Sequence, residues 1–259
     1  MGEAILAALL RNKLCGPTDI SVSDVSQPRR QYLKKQYRIT VTANNQQAVK
    51  DKDVIVLAVK PQHIKEVLAD LKGQLKAGQF ILSIAAGVKI STITKGVGHH
   101  KVVRAMPNTP AQIGLGISGW TATKEVTAAQ KKLARTILGA MGKEIYFSNE
   151  KYLDMVTAVS GSGPAYVYLF AESLIDGAVG LGLKRKDAET LVLQTILGAA
   201  NLMDKSSKAP AELRREVTSK GGTTERALAA FEENKLPDIV AKALQAAHKR
   251  AIELGNTKS

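Results

Sequence analysis

The sequence predicts an α/β domain built on a parallel sheet, followed by an all-helical domain. Three observations carry this. Over the first 150 residues strand and helix patterns alternate, the order that gives a doubly wound sheet. Two of the strand runs, VIVLAV at 54–59 and FILSI at 80–84, are continuously apolar, as in strands covered on both faces. After about residue 150 the strand signal stops and only helical periodicity remains. The domains are therefore placed at 1–150 and 151–259.

The elements follow in order. Residues 3–10 (EAILAALL) form a helix extending to Lys13 and ended by Gly16 and Pro17. Residues 20–23 make a short strand, 29–36 a basic helix, 39–41 a second short strand and 45–50 a short helix. After the 54–59 strand come a helix over 62–72, the 80–84 strand and a short helix over 90–95. Strands over 101–106 and, glycine-spaced, over 114–121 complete the domain. Beyond it, helices are expected over 151–159, 163–181, 185–205, 210–218, 224–234 and 238–254. Asp187, Pro210, Thr223 or Thr224, and Pro237 stand where helix starts belong.

Composition narrows the class. The chain has 259 residues, 44% of them apolar, and a mean hydropathy of −0.08, which excludes a disordered or fibrous chain. A single cysteine, Cys15, excludes a disulfide framework and a Cys-rich zinc site. The four histidines fall in no metal-binding spacing, so no metal is expected. Basic residues number 37 and acidic ones 23, and the resulting +14 favours anionic ligands. With only 4% aromatics and no block of five like charges, nucleic acid is not an expected partner. No signal-peptide pattern opens the chain. The apolar-leaning stretch 164–183 carries Glu172 and Asp176, which argues for a buried helix rather than a membrane span. A cytoplasmic location is expected.

A nucleotide-binding α/β domain normally opens with a strand, a G-x-G-x-x-G loop and a helix. This chain opens on Met1 and Gly2 and enters the helix directly. With Gly2 as the last glycine of that fingerprint, the first strand and two glycines are missing. The sheet should then show a gap between the strands at 20–23 and 54–59. Asp24, 22 positions after Gly2, stands where an acidic residue meets the ribose, although a strand ending in Asp is also common without that role. Three successive strand ends carry proline or small residues: Ala58-Val59-Lys60-Pro61, 83–87 (SIAAG) and 104–110 (RAMPNTP). Each alone reads as an ordinary turn. Together they mark a shared cleft at the carboxyl edge of the sheet, where open α/β sheets hold ligands.

In the helical half, 160–166 (SGSGPAY) is a Gly/Ser bend before a proline at a helix start, or simply a connection. Residues 217–226 (VTSKGGTTER) place Gly-Gly and threonines at a helix N-terminus. The first N–H groups there lack internal partners and favour an anion such as a small carboxylate; a plain threonine cap has the same pattern.

Together these stretches resemble pyrroline-5-carboxylate reductase. AVKP (58–61), SIAAG (83–87), MPNTP (106–110), SGSGPAY (160–166), DGAVGLGL (176–183) and VTSKGGTT (217–224) occur in family order across nearly the whole chain. The resemblance implies a Rossmann-like first domain and a C-terminal dimerisation domain of intertwined helices. It implies a homodimer, often assembled into a decamer. The implied reaction is reduction of L-Δ1-pyrroline-5-carboxylate to L-proline with NADPH or NADH, the last step of proline biosynthesis. Cofactor contacts then fall on Met1, Gly2, Ser23, Asn45, Ala58, Val59, Lys60, Pro61 and Ala86, with Asn108 near the nicotinamide. Substrate contacts fall on Ser219, Gly221, Gly222, Thr223 and Thr224, and the Thr224 hydroxyl takes the position that meets the ring nitrogen. Lys220 stands where the family commonly has proline, which frees an N–H and adds a cation.

On cofactor choice, Asp24 opposes a 2′-phosphate and so favours NADH. Ser23, Ser26, Arg29, Arg30 and the net positive charge favour NADPH, which is the expectation. The reaction needs a hydride at the C=N carbon and a proton on nitrogen that substrate or solvent supplies. Positioning therefore suffices, and no histidine or carboxylate pair is required. The N–H groups of 222–224 would hold the carboxylate. Two alternatives share the architecture. A β-hydroxyacid dehydrogenase needs a lysine on the first long helix of the second domain, and 166–181 has none. A truncated relative would keep the fold and bind cofactor poorly.

Overall fold

The computed structural model describes residues 1–256. Two units divide the chain: Met1–Ser162 with the stretch from Ala247 onward, and Gly163–Ala246.

In the first unit, α1 (Gly2–Arg11) leads through a 3-10 turn at Pro17–Asp19 into β1 (Ser21–Ser23). Helix α2 (Gln27–Tyr37) and β2 (Thr40–Thr42) follow, and β1 and β2 pair in parallel, Ser21 opposite Thr40. After α3 (Asn45–Val49) comes a five-stranded sheet in chain order: β3 (Val54–Leu57), β4 (Phe80–Ser83), β5 (Val102–Pro107), β6 (Gly116–Ala122) and β7 (Gly142–Tyr146). Its pairs are parallel except β5 with β6, which is antiparallel. Among the described residues no ladder joins β1 to β3, which leaves the expected gap between the two sheets.

That gap changes the burial of β3. Ile55 and Leu57 are buried, but Val54 and Val56 are only half-buried, because the strand has an open edge. The fully covered strand of the pair is β4. Alternation along β4 builds both layers. Phe80 and Leu82 meet Ile5 and Ala8 of α1 with Ala134, Ile137 and Leu138 of α6 (Ala128–Gly139). Ile81 points the other way, to Ile64, Leu68 and Leu71 of α4 (Ile64–Leu71) and Ile93 and Val97 of α5 (Ile90–Val97). A smaller cluster of Leu6, Leu33 and Ile39 lies under the β1–β2 ladder.

Several expected elements differ. The sequence reading includes neither helix α6 nor strand β7, although Thr127 and Gln130 form a reciprocal cap on α6. The 54–59 strand stops at Leu57, where the Leu57 carbonyl takes the last ladder bond from Ile84 N–H at 3.0 Å. The helix expected at 62–72 opens as a 3-10 turn, Pro61–His63, before α4. Residues Thr109–Ile113 also form a 3-10 turn, which delays β6 to Gly116.

The 151–159 helix is α7 (Tyr152–Val156) continued by a π turn, Thr157–Gly161, so 160–161 are not a plain bend. Ser162 N–H closes that turn on the Thr157 carbonyl at 2.9 Å. A Cβ on Gly161 would stand 2.8 Å from Met106 Cε, the mobile end of a β5 side chain, so the turn packs against β5 there.

The second unit holds α8 (Gly163–Gly180), α9 (Arg185–Lys205), α10 (Pro210–Glu216), α11 (Thr223–Glu233) and the first part of α12 (Leu236–Asn256), whose later turns belong to the first unit. α8 packs on α9, and Phe170 approaches Phe231 at 6.5 Å between ring centroids. Helices α8, α10 and α11 bury none of their residues, and Leu169 and Leu193 are more than half exposed. Among the described residues no helix is long and apolar enough to cross a membrane, and no cluster of His, Cys, Asp or Glu is fit to hold a metal.

Candidate active site

Helix α1 begins at Gly2 with Met1 as its cap and no side-chain oxygen satisfying its first turn. Its open N–H groups make a ready anion site. A Cβ on Gly2 would stand 3.0 Å from the Ala58 Cβ, so the helix start lies against the exit of β3. A side chain there would press on Ala58, and glycine allows the approach without that crowding.

At the exit of β1, Ser23 Oγ donates to Asn45 Oδ1 at 2.6 Å, and Asn45 Nδ2 donates to Asp70 Oδ2 at 2.9 Å. The structure thus brings two expected cofactor residues together and adds Asp70. An open polar cavity of about 220 Å³ lies beside them, lined by Ala43, Asn44, Asn45, Gln46 and Asp70. Asp24 Oδ1 accepts from Ser26 N–H at 2.8 Å. Arg30 Nη1 donates to the carbonyls of Asp24 at 2.6 Å and Val25 at 3.0 Å. Arg29 forms an ion pair with Glu3 and lies 5.1 Å over the Tyr32 ring.

Glu3 also accepts from the hydroxyls of Tyr37 at 2.7 Å and Tyr32 at 3.2 Å. Burial pushes its pKa up, but the hydrogen bonds from Tyr37 and Arg29 outweigh it and hold the carboxyl below its ordinary value. Tyr37 is pushed up to about 12 by burial and by its bond to Glu3. The two arginines expected to await a 2′-phosphate therefore already have partners: Arg30 holds the Asp24 loop, and Arg29 holds Glu3.

On the other side, Ala58, Lys60 and Pro61 are exposed at the β3 exit, while Val59 packs on the core. At the β4 exit Ala85 is buried, Ala86 exposed, and Gly87 turns the chain at a φ of 71°. At the β5 exit Asn108 Oδ1 accepts from Ile117 N–H at 2.9 Å and fixes the following turn on β6. Behind these loops Arg104, with 6% of its side chain exposed, pairs with Glu150 at 2.7 Å and lies 3.8 Å from Asp154. Glu150 Oε1 also accepts Ile90 N–H at 2.8 Å. The sequence reading places Arg104 in the 101–106 strand and its RAMPNTP end without assigning it partners; the signal for them is a charge within an apolar strand.

In the helical unit, Gly222 caps α11 and Gly221 has a φ of 74°. Gly221 N–H donates to Glu225 Oε2 at 2.8 Å, and Gly222 N–H to the Ser219 carbonyl at 3.0 Å. A Cβ on Gly222 would strike the Ser219 hydroxyl. Gly222 N–H, expected at the carboxylate, is thus engaged within the turn, which leaves the first-turn groups of Thr223 and Thr224. The Thr224 hydroxyl is half-buried and makes no hydrogen bond among the described residues. Lys220 is exposed.

Comparison with known proteins gives the family. A family profile described as pyrroline-5-carboxylate reductase dimerisation matches residues 150–254. One described as NADP oxidoreductase coenzyme F420-dependent matches residues 1–87. The pyrroline-5-carboxylate reductase of Synechocystis sp. is 43% identical over 98% of this chain and 95% of its own length. That of Arabidopsis thaliana is 35% identical over 99% of this chain and 93% of its own. The solved Coxiella burnetii enzyme superposes with a TM-score of 0.92 at 39% identity, covering 99% of this chain and 95% of that one. The Plasmodium falciparum enzyme, solved with NADP bound, gives 0.88 at 33% over the same shares. Prephenate dehydrogenase from Aquifex aeolicus, at 15% identity and a TM-score of 0.54, shares the fold alone. The chain belongs to the pyrroline-5-carboxylate reductase family.

Proposed function

We propose that the protein reduces L-Δ1-pyrroline-5-carboxylate to L-proline with NADPH, NADH serving less well, and that it works as a cytoplasmic homodimer open to assembly as a decamer. The observation that carries the reading is the Ser219–Thr224 turn, which opens an eleven-residue helix with no side-chain cap beside a threonine hydroxyl that, among the described residues, makes no hydrogen bond. The Plasmodium falciparum relative, solved with NADP, supports the cofactor class.

The residues at the strand exits fit a dinucleotide. Gly2 lets the open end of α1 approach to the contact limit at Ala58, and Ala86 leaves room for a flat ring. Met1, Gly2, Ser23, Asn45, Ala58–Pro61, Ala86 and Asn108 would hold it. When bound, the reduced dinucleotide supplies the hydride for the C=N carbon. The protein's own part is positioning. The Thr223 and Thr224 N–H groups hold the substrate carboxylate at the positive end of α11. The protonated ring nitrogen donates to the Thr224 oxygen, which orients the imine and keeps its carbon electrophilic. Gly221 and Gly222 shape the turn, and Ser219 closes it.

The half-exposed apolar residues of α8 and α9 support the dimer, since a helix apolar on most of its circumference needs cover. The test is NADPH oxidation followed by absorbance, with proline measured by chromatography. One proline per NADPH consumed is the expected result; NADPH consumption without proline, or none at all, overturns the reading.

A further inference from the structure

The exit of β4 is held from behind by a part of the chain far from it in sequence. Gly87, one residue beyond Ala86, turns with a left-handed φ of 71°, and a Cβ there would stand 3.1 Å from the Leu254 Cβ and 3.4 Å from its carbonyl carbon. A Cβ on Gly255 would stand 3.5 Å from the Gly87 carbonyl oxygen and 3.3 Å from Lys89 Cε. The two backbones therefore meet with little between them, glycine to glycine. Lys89 Nζ then donates to Asn256 Oδ1 at 2.5 Å. At the far end of the same segment, Ile90 N–H is held by Glu150, itself fixed by the buried Arg104.

The 87–90 segment is thus pinned at one end by the last turn of α12 and at the other by the Glu150–Arg104 ion pair. Ala86, on the exposed side, has no side chain able to set its own position. Its place is inherited from Gly87, whose left-handed turn is backed by Leu254.

We propose that residues 254–256 of α12 are a positioning element for the nicotinamide side of the dinucleotide site. They set how closely the 83–87 turn approaches the ring and leave the adenosine side untouched. The adenosine side rests on separate elements, Ser23, Asn45 and Asp70, linked to one another by their own hydrogen bonds. This inference rests on the reductase reading, since it needs Ala86 to face a dinucleotide.

The test uses two variants, one ending after Glu253 and a full-length one carrying Gly255→Val, which wedges a side chain against Gly87 and Lys89, with Asn256→Ala, each checked for native circular dichroism. Each is titrated with NADPH and with 2′-phospho-ADP-ribose, which lacks the nicotinamide. Losing the Leu254 backing of Gly87 in the first variant, or wedging that contact apart and removing the Lys89–Asn256 hydrogen bond in the second, should weaken NADPH about 5- to 20-fold. The fragment should bind within about twofold of the parent chain, and KM for pyrroline-5-carboxylate should change less than KM for NADPH. Equal weakening of both probes would mean a general structural role and overturn the proposal. Unchanged NADPH affinity in both variants would also overturn it. If the parent chain binds neither probe, the reductase reading itself fails and this inference falls with it. If one variant does not fold, the other decides.

Discussion

The 3.0 Å between the Ala58 Cβ and the place a Cβ on Gly2 would take joins the two ends of the proposed phosphate site. Gly2→Val should push α1 off the β3 exit and draw its N–H groups away from an anion. An end-of-helix anion contact contributes up to about 1–2 kcal/mol, so NADPH should bind about tenfold more weakly. Fluorescence titration checks this, and an affinity within twofold of the parent chain would remove Gly2 from the site.

The Asp24 loop separates two arginine roles. Arg30 bonds the carbonyls of Asp24 and Val25, so Arg30→Ala should loosen the loop and weaken NADPH and NADH alike. Among the described residues the Arg29 guanidinium pairs with Glu3 and lies over the Tyr32 ring, and a 2′-phosphate would compete with Glu3 for it. Arg29→Ala should therefore weaken NADPH more than NADH. Equal losses for both cofactors in Arg29→Ala would place the 2′-phosphate elsewhere.

Much of the fold was legible because the parallel-sheet strands are contiguous apolar runs and the later helices keep their period over 11 to 21 residues. Strand β7 was not, since GKEIY carries two charges and alternates in exposure at the sheet edge. Helix α6 opens on AAQKK, and its buried Ala134, Ile137 and Leu138 come only in its second half. The site loops were legible for the same reason as the strands: each is a short contiguous motif. The side-chain networks behind them were not. Glu3 meets partners 26 and 34 residues away, Asn45 meets Asp70 across 25, and Glu150 joins Arg104 and Ile90 across 46 and 60. Such convergence is a property of the packed fold and leaves no local pattern.

The Glu3–Tyr37 bond has a defined pH window. Glu3 is held low, so its contribution is present above about pH 4.3 and lost as pH falls through the folded value. Tyr37 is raised to about 12, so its contribution is present below about pH 10 and lost as pH rises toward 12. Tyr37→Phe should cost about 1 kcal/mol near neutral pH, a Tm drop of about 2–4 °C. The difference from the parent chain should shrink below pH 4 and above pH 10. A difference constant from pH 3 to 11 would contradict this linkage.

The helical unit predicts assembly. Leu169 and Leu193 are 63% and 61% exposed on helices that have few other places to bury them. Association should cover more than roughly 2,000 Å², the range of obligate homodimers. Light scattering at micromolar concentration should give at least twice the 27.7 kDa chain mass. A monomer at that concentration would contradict the dimer.

The central claim is that the Ser219–Thr224 turn holds the imine and that the Thr224 hydroxyl meets its nitrogen. The most direct measurement is the steady-state kinetics of Thr224→Ala with pyrroline-5-carboxylate, alongside its NADPH affinity. Loss of one hydrogen bond at the reacting centre, about 1–3 kcal/mol, predicts a fall in kcat/KM of about 5- to 150-fold with NADPH affinity unchanged. Turnover equal to the parent chain would contradict the account.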